Sequence, residues 1–287
     1  MNKTSAKDIV ELNFSVILIS SAAVLVRFIP LNPTQISFWR GVIAFITIGI
    51  VMLIKKTSFR ISSKNDRARL FTSSVLFALH WISYFYALQV SSVAIGMLSL
   101  FTFPVITAII EPIYFKTKFN KRHLILAVLV FIGLYVMAPE INFENNSTKG
   151  IVSGVLSGLF FALRNLTMKS NASKYKGSVL MFYQFLFIGI LFCPFLFLNE
   201  KSQTIKFMPY ILCLGIFATA IGHTIFVKSL KKFEVTTASI IASSQPVFGI
   251  FMGLIFLNEI PNTQTVVGGV LIISSVFIEI YTKNKTE

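Results

Sequence analysis

Charge is what this chain has least of. Only 13% of its 287 residues are charged, and Asp and Glu together number 11. A soluble domain of this size carries about a quarter of its residues as charged surface, so a soluble globular fold is excluded. Cysteine is almost absent too. Cys193 and Cys213 both lie within apolar runs, which speaks against a disulfide framework or a metal site and leaves them as small packing residues. Neither GxxxxGK[ST] nor GxGxxG occurs in the sequence, so nothing supports ATP-driven pumping by this chain. No cofactor, no metal and no catalytic residue is expected.

What the chain has instead is apolar length. Hydrophobic residues make up 55% and Phe alone accounts for 30 positions. They fall in runs near twenty residues, the length a helix needs to cross about 30 Å of hydrocarbon. Lipid offers the backbone no hydrogen-bond partner, so such runs must be helices or closed barrels, and the period-two alternation of a barrel is missing. The spacing predicts ten spans, at 10–29, 34–54, 70–90, 93–115, 123–139, 150–169, 178–198, 208–228, 236–257 and 264–282. Lys3 and Lys7 ahead of Ser20-Ser21-Ala22 imitate a signal peptide, but that stretch is the first span and nine more follow it.

The net charge of +15 suggests nucleic acid until the 26 Lys and Arg are sorted by segment. Twenty of them fall on one alternating set: around Lys3, between Lys55 and Arg69, at Lys116–Arg122, at Lys169–Lys176, at Lys228–Lys232 and at the C-terminus. The other set holds only Lys149, Lys201 and Lys206, while Arg27, Arg40 and Arg164 lie inside spans. By the positive-inside rule both termini are cytoplasmic, in what is expected to be a bacterial inner membrane. The basic balance is a topology signal, and no nucleic-acid partner is expected.

The chain also repeats. At an offset of 142, Val93 falls opposite Val235, Pro104-Val105 opposite Pro246-Val247, and Trp81 opposite His223; at 137, Arg27 meets Arg164. Five spans per half is an odd number, so the second half enters the membrane from the opposite side. The expectation is an all-α integral membrane protein of ten transmembrane helices, built as two inverted five-helix repeats, residues 1–145 (helices 1–5) and 146–287 (helices 6–10). Such inverted repeats support alternating access, with the substrate near the midplane.

These residues resemble the drug/metabolite transporter superfamily, specifically the EamA-type permeases, over about residues 10 to 282. Ser92-Val93-Ala94-Ile95-Gly96 through Pro104 resembles the family's fourth helix, and Val235 through Pro246 its ninth. Leu257-Asn258-Glu259 is similar to the Leu-Gly-Glu that ends the ninth, with Asn in place of Gly. In the first half Lys116-Thr117-Lys118 stands where that Glu is expected. Arg40, in Phe38-Trp39-Arg40, matches an Arg common early in the second helix. The resemblance implies a carrier but no particular solute.

The polar residues within the spans must carry any chemistry. An Arg at a helix centre costs about 2.5–3.5 kcal/mol on insertion scales. Arg27 and Arg164 lie near helix ends and are open to snorkelling; Arg40 lies deeper, with no Asp or Glu at its depth to pair with. Glu11, Glu111, Glu259 and Glu279 all lie near helix ends, so the chain lacks the buried carboxylate that proton-coupled exporters of lipophilic cations use. His80 and His223 are the groups near the midplane that titrate near neutral pH, and His80 and Tyr84 share a helix face beside Trp81. Ser243, Ser244 and Gln245 precede Pro246, whose ring frees a backbone carbonyl, and Tyr183-Gln184 aligns with Trp39-Arg40. The candidate substrate-binding residues are therefore Arg40, His80, Trp81, Tyr84, Arg164, Gln184, His223, Ser243 and Gln245, with Pro104 and Pro246 as helix breaks or gates.

The function these features suggest is secondary transport of a small organic metabolite, zwitterionic or anionic, an amino acid or a relative, through a central cavity. A channel and a multidrug exporter of hydrophobic compounds are the alternatives. An intramembrane enzyme would need a His–acid or Ser–His pair at shared depth; His80 and Ser residues exist, but no Asp or His–acid cluster does. The expected partners are the solute and the lipid bilayer; a homodimer stays open.

Overall fold

The computed structural model describes residues 6–117, 122–137, 142–198, 201–242 and 244–283. Among them the chain is almost entirely helical and contains no strand. In order come α1 (Ala6–Arg27), α2 (Pro33–Ile54), α3 (Lys64–Val90), α4 (Val93–Leu100), α5 (Phe103–Phe115), α6 (Arg122–Met137), α7 (Asn146–Ala172) and α8 (Gly177–Phe192). Then follow α9 (Lys201–Lys206), α10 (Met208–Cys213), a π-helical stretch at Leu214–His223, α11 (Thr224–Ser229), α12 (Val235–Ala242), α13 (Gln245–Leu257) and α14 (Thr263–Lys283).

Among the described residues, seven helical stretches are long and apolar enough to cross a membrane: Lys7–Arg27, Pro33–Ile54, Lys64–Val90, Val93–Phe115, Asn146–Ala172, Gly177–Leu196 and Met208–Ser229. The three other expected spans fall on shorter apolar helices, Val128–Met137, Gln245–Leu257 and Thr263–Ser275. Large apolar side chains such as Leu53, Ile54, Ile113, Phe131 and Phe251 point outward. In water that surface would be a heavy liability; in lipid it is the ordinary exterior of a helical bundle.

Among the described residues, two of the expected spans are divided near a proline. α4 passes into α5 through Phe101 and Thr102, with Pro104 at the start of α5, and α13 begins at Gln245 with Pro246 in its first turn. Proline is tolerated at a helix start because its missing N–H would have no partner there. Both 13-residue segments end in a left-handed residue, Lys116 (φ 56°) and Asn258 (φ 52°). Asn is one of the few side chains that tolerates this conformation, which accounts for its presence where a glycine would otherwise serve.

The centre of the bundle is the pairing of α3 with α7, flanked by α1, α8 and the broken helices. Gly150, Gly154 and Gly158 recur at every fourth residue along one face of α7, the small-residue spacing that lets membrane helices approach closely. A Cβ on Gly158 would lie 2.8 Å from the Leu100 carbonyl oxygen and 3.1 Å from Thr102 Oγ1. Glycine there seats α7 directly against the break between α4 and α5.

Candidate functional site

A cavity lies at the middle of the bundle, lined by Ile19, Ala22, Arg40, His80, Trp81, Tyr84, Leu100, Phe101, Phe103, Phe161, His223 and Gln245. It is narrow. Its free room suits roughly one water molecule. Roomier grooves elsewhere, such as the one between α2 and α8 walled by Phe38, Phe45 and Ile190, are almost wholly apolar. The central cavity combines aromatic walls with convergent polar groups, the usual make-up of a solute site.

Arg40 is 1% exposed and comes from α2. Its guanidinium carbon lies 3.9 Å from the Trp81 ring centroid and 5.0 Å from that of Phe85. Its Nε donates to Thr219 Oγ1 at 2.9 Å, and the Thr219 hydroxyl donates to the Leu214 carbonyl five residues back at 2.7 Å. Thr219 and Leu214 both lie in the π-helical stretch, a geometry frequent at functional sites. Arg40 Nη2 is buried without a hydrogen-bond partner.

His80 is fixed by α7. Its Nδ1 lies 2.7 Å from Ser157 Oγ and 3.3 Å from the Ser157 carbonyl oxygen, while the Ser157 hydroxyl donates to the His80 carbonyl at 3.0 Å. With the Ser157 hydroxyl directed to the His80 carbonyl, the arrangement suits the tautomer with hydrogen on Nδ1, which leaves Nε2 as an acceptor. The ring stacks between Phe77 and Tyr84, with centroids 5.8 and 5.9 Å away. His223, from the end of the π-helical stretch, meets Phe77 edge-on at 4.9 Å and has Nδ1 buried and unpartnered.

Arg164 is fully buried but does not line the cavity. It sits one layer behind, 4.2 Å from the Phe77 centroid, donating through Nη1 to Asn165 Oδ1 at 2.9 Å and through Nη2 to Gln184 Oε1. Gln184 in turn donates to Ser73 Oγ at 2.9 Å. Arg164 Nε has no partner. Among the ion pairs of the described residues, none involves Arg40 or Arg164. Two cations thus share one aromatic cluster with no counter-ion among the described residues.

Of the residues singled out from sequence, Arg40, His80, Trp81, Tyr84, His223 and Gln245 meet at the cavity; Arg164 and Gln184 pair behind it; Ser243 lies outside the described residues. Pro104 and Pro246 stand beside lining residues at the two breaks. Snorkelling is the wrong account of Arg164, and it leaves out the partner of Arg27. Arg164 is turned fully inward, and Arg27 binds Glu259, 232 residues away, with Nη2 to Oε1 at 2.8 Å. The partner was invisible in sequence because Glu259 reads only as a helix ending. Thr219 and Ser157, which orient Arg40 and His80, carried no sequence signal at all.

The profile of the EamA-like transporter family matches residues 12–138 and again 148–281. The chain belongs to the EamA-like transporter family. Relatives of this EamA-family chain include an uncharacterized transporter of Archaeoglobus fulgidus, 26% identical over 69% of this chain and 69% of that protein. The pseudopaline exporter CntI of Pseudomonas aeruginosa is 22% identical over 85% of this chain and 84% of its own. Human solute carrier family 35 member G1 is 24% identical over 85% of this chain and 70% of its own. A crystal structure that matches with a TM-score of 0.73 over 99% of this chain and 100% of its own, at 14% identity, shows the same fold. The EamA-family protein is a multi-pass membrane transporter, and its chemistry is solute movement rather than catalysis.

Proposed function

We propose that this EamA-family protein is a secondary transporter of a small carboxylate-bearing metabolite, zwitterionic or anionic, of the amino-acid kind. The solute binds in the central cavity and is carried by alternating access between two inverted five-helix halves that together make ten crossings, with both termini on the cytoplasmic side of a bacterial inner membrane. The two stretches matched by the family profile and the twin broken helices support the inverted halves.

The observation that carries the reading is Arg40. It is a buried cation on the cavity wall, without a carboxylate and with one N–H unused. A buried charge is ordinarily paired, and a solute carboxylate supplies the missing pair. Tyr84 and Gln245 add neutral polar contacts, and His223 Nδ1, also unpartnered, lies on the same wall. His80 Nε2 accepts, so an ammonium on the same solute has a partner across the cavity. Trp81, Phe101, Phe103 and Phe161 enclose its apolar body. Arg164 and Gln184 add positive potential from behind.

A thermal-shift screen of the purified protein against amino acids, organic acids, nucleosides and S-adenosylmethionine tests this. Ligand binding raises stability by mass action, so carboxylate-bearing solutes should raise the melting temperature and lipophilic cations should not. The aromatic wall favours a second reading, export of hydrophobic compounds, and a screen in which uncharged aromatics alone stabilise the protein would select it.

A further inference from the structure

Two glutamates tie the broken helices together at opposite ends. A helix start leaves backbone N–H groups without intrahelical partners, and here each broken helix has that need met by the other. At the start of α4, the Val93 N–H donates to Glu259 Oε2 at 2.8 Å, and Arg27 Nε donates to the other carboxylate oxygen at 2.9 Å. Arg27 Nη1 also donates to the Leu88 carbonyl at 3.0 Å, fastening the end of α3 to the same point. At the start of α12, the Val235 N–H donates to Glu111 Oε1 at 3.2 Å, and the Thr236 N–H donates to Oε2 at 3.0 Å. The Thr236 hydroxyl bonds the same oxygen.

Glu259 follows α13 and caps α4; Glu111 belongs to α5 and caps α12. The arrangement is reciprocal although the two positions do not correspond in sequence. In the first half Thr117 follows the left-handed Lys116, where the second half has Glu259 after the left-handed Asn258. Glu111, more than a turn earlier on α5, reaches across to do the equivalent work. At about 1.5 Å per residue, Val93 and Glu111 lie on the order of 30 Å apart along their broken helix, which is about the thickness of the hydrocarbon core. The cavity lies between these two capped ends and is too narrow for a solute.

We infer that Glu259 with Arg27, and Glu111, are the two latches of the transport cycle, each holding one mouth of the cavity shut. This rests on the transport reading above. A carboxylate that caps backbone N–H groups is a strong, charge-assisted contact, yet breaking one latch leaves the other intact. That is the requirement for opening one side at a time. Glu259 borders a small recess lined by Val93, Gly253 and Pro261 among others, and its side chain is partly exposed, so packing does not lock the carboxylate in place.

The test uses the full chain with Cys193 and Cys213 replaced by serine and Ala22→Cys on the cavity wall as reporter. A membrane-impermeant maleimide is applied to right-side-out and to inside-out vesicles. Glu259→Gln should raise labelling from the outer face about tenfold relative to the inner face, the change that losing one charge-assisted contact gives a two-state equilibrium. Glu111→Gln should shift the ratio the other way, and Arg27→Ala should follow Glu259→Gln in direction. If either glutamine variant fails to reach the membrane, the shortened Glu→Asp variant at that position carries the same expectation. Shifts of one sign in both variants, or no shift, overturn the latch while leaving the central cavity in place. Labelling from neither face in the parent and every variant overturns both.

Discussion

Replacing Arg40 by Gln separates a binding arginine from a packing one, and the structure fixes the expected sizes. Burying the guanidinium costs about 2.5–3.5 kcal/mol on membrane insertion scales. Against that stand its stacking on Trp81, worth about 2 kcal/mol when desolvated, and the bond to Thr219, worth about 1.5 kcal/mol at the low end for a charged donor. The terms nearly offset, so Arg40→Gln should leave the empty protein within about 1 kcal/mol of the parent, a few degrees in melting temperature for a chain of this size. Binding is different. A solute carboxylate on the free Nη2 makes a charge-assisted bond worth about 1.5–3 kcal/mol, and its loss weakens affinity roughly ten- to hundredfold. His80→Ala removes one neutral contact and should cost about fivefold, within the range of an uncharged hydrogen bond. The assay is calorimetric titration of monodisperse mutant protein with the tightest amino acid or organic acid from the screen. Arg40→Gln protein that is folded and binds within about threefold of the parent refutes the argument.

Thr219→Val keeps the shape of the side chain but strips Arg40 Nε of its acceptor, and titration should show affinity lowered several-fold with expression unchanged. Gly158→Leu drives a side chain into the Leu100 carbonyl at the break between α4 and α5, and the melting temperature should fall by the several degrees that overpacking of a few kcal/mol implies. Asn145→Cys should be labelled by an impermeant reagent only from outside, and Ser62→Cys only from inside; the reverse pattern would overturn the proposed orientation.

Much of the architecture was legible because the bilayer imposes it. Backbone groups in lipid must be satisfied within helices, so apolar length alone located the helical segments, and Pro104 and Pro246 marked the two breaks. The candidate site was legible for a related reason. Polar side chains inside spans face the bundle interior, which brought Arg40, His80, Trp81, Tyr84, His223 and Gln245 to one cavity. What escaped were contacts set by tertiary geometry. Arg27 and Glu259 each look like a helix-end residue; only the crossing of α1 and α13 pairs them. Arg164 and Gln184 carry the right chemistry but sit behind Phe77 and Phe161, and one-dimensional spacing does not separate the lining layer from the layer behind it. The π-helical stretch at Leu214–His223 reads as an ordinary apolar helix, since the rule that finds a span is blind to a change of hydrogen-bond step.

The distribution of ion pairs strengthens the case for the cavity. Near the helix ends the scarce acids are matched with bases: Lys232 with Asp8 at 2.6 Å, Lys228 with Glu11 at 2.6 Å, Lys174 with Asp66 at 2.9 Å and Arg27 with Glu259. Tyr175 and Lys174 both bind Asp66, and the Asn171 amide donates to its backbone carbonyl, so even that one site is densely satisfied. In each pair the base is partly exposed, even where the acid, as at Asp66 and Asp8, is buried. At the centre the order reverses. Two fully buried guanidiniums, for which pairing would matter most, have only neutral partners and aromatic faces. A carboxylate built into the wall would satisfy them permanently and compete with any anionic solute for the same N–H groups. Leaving them without a built-in carboxylate keeps the potential at the cavity positive, which favours a negative group over a cation and accords with the proposed carboxylate-bearing solute.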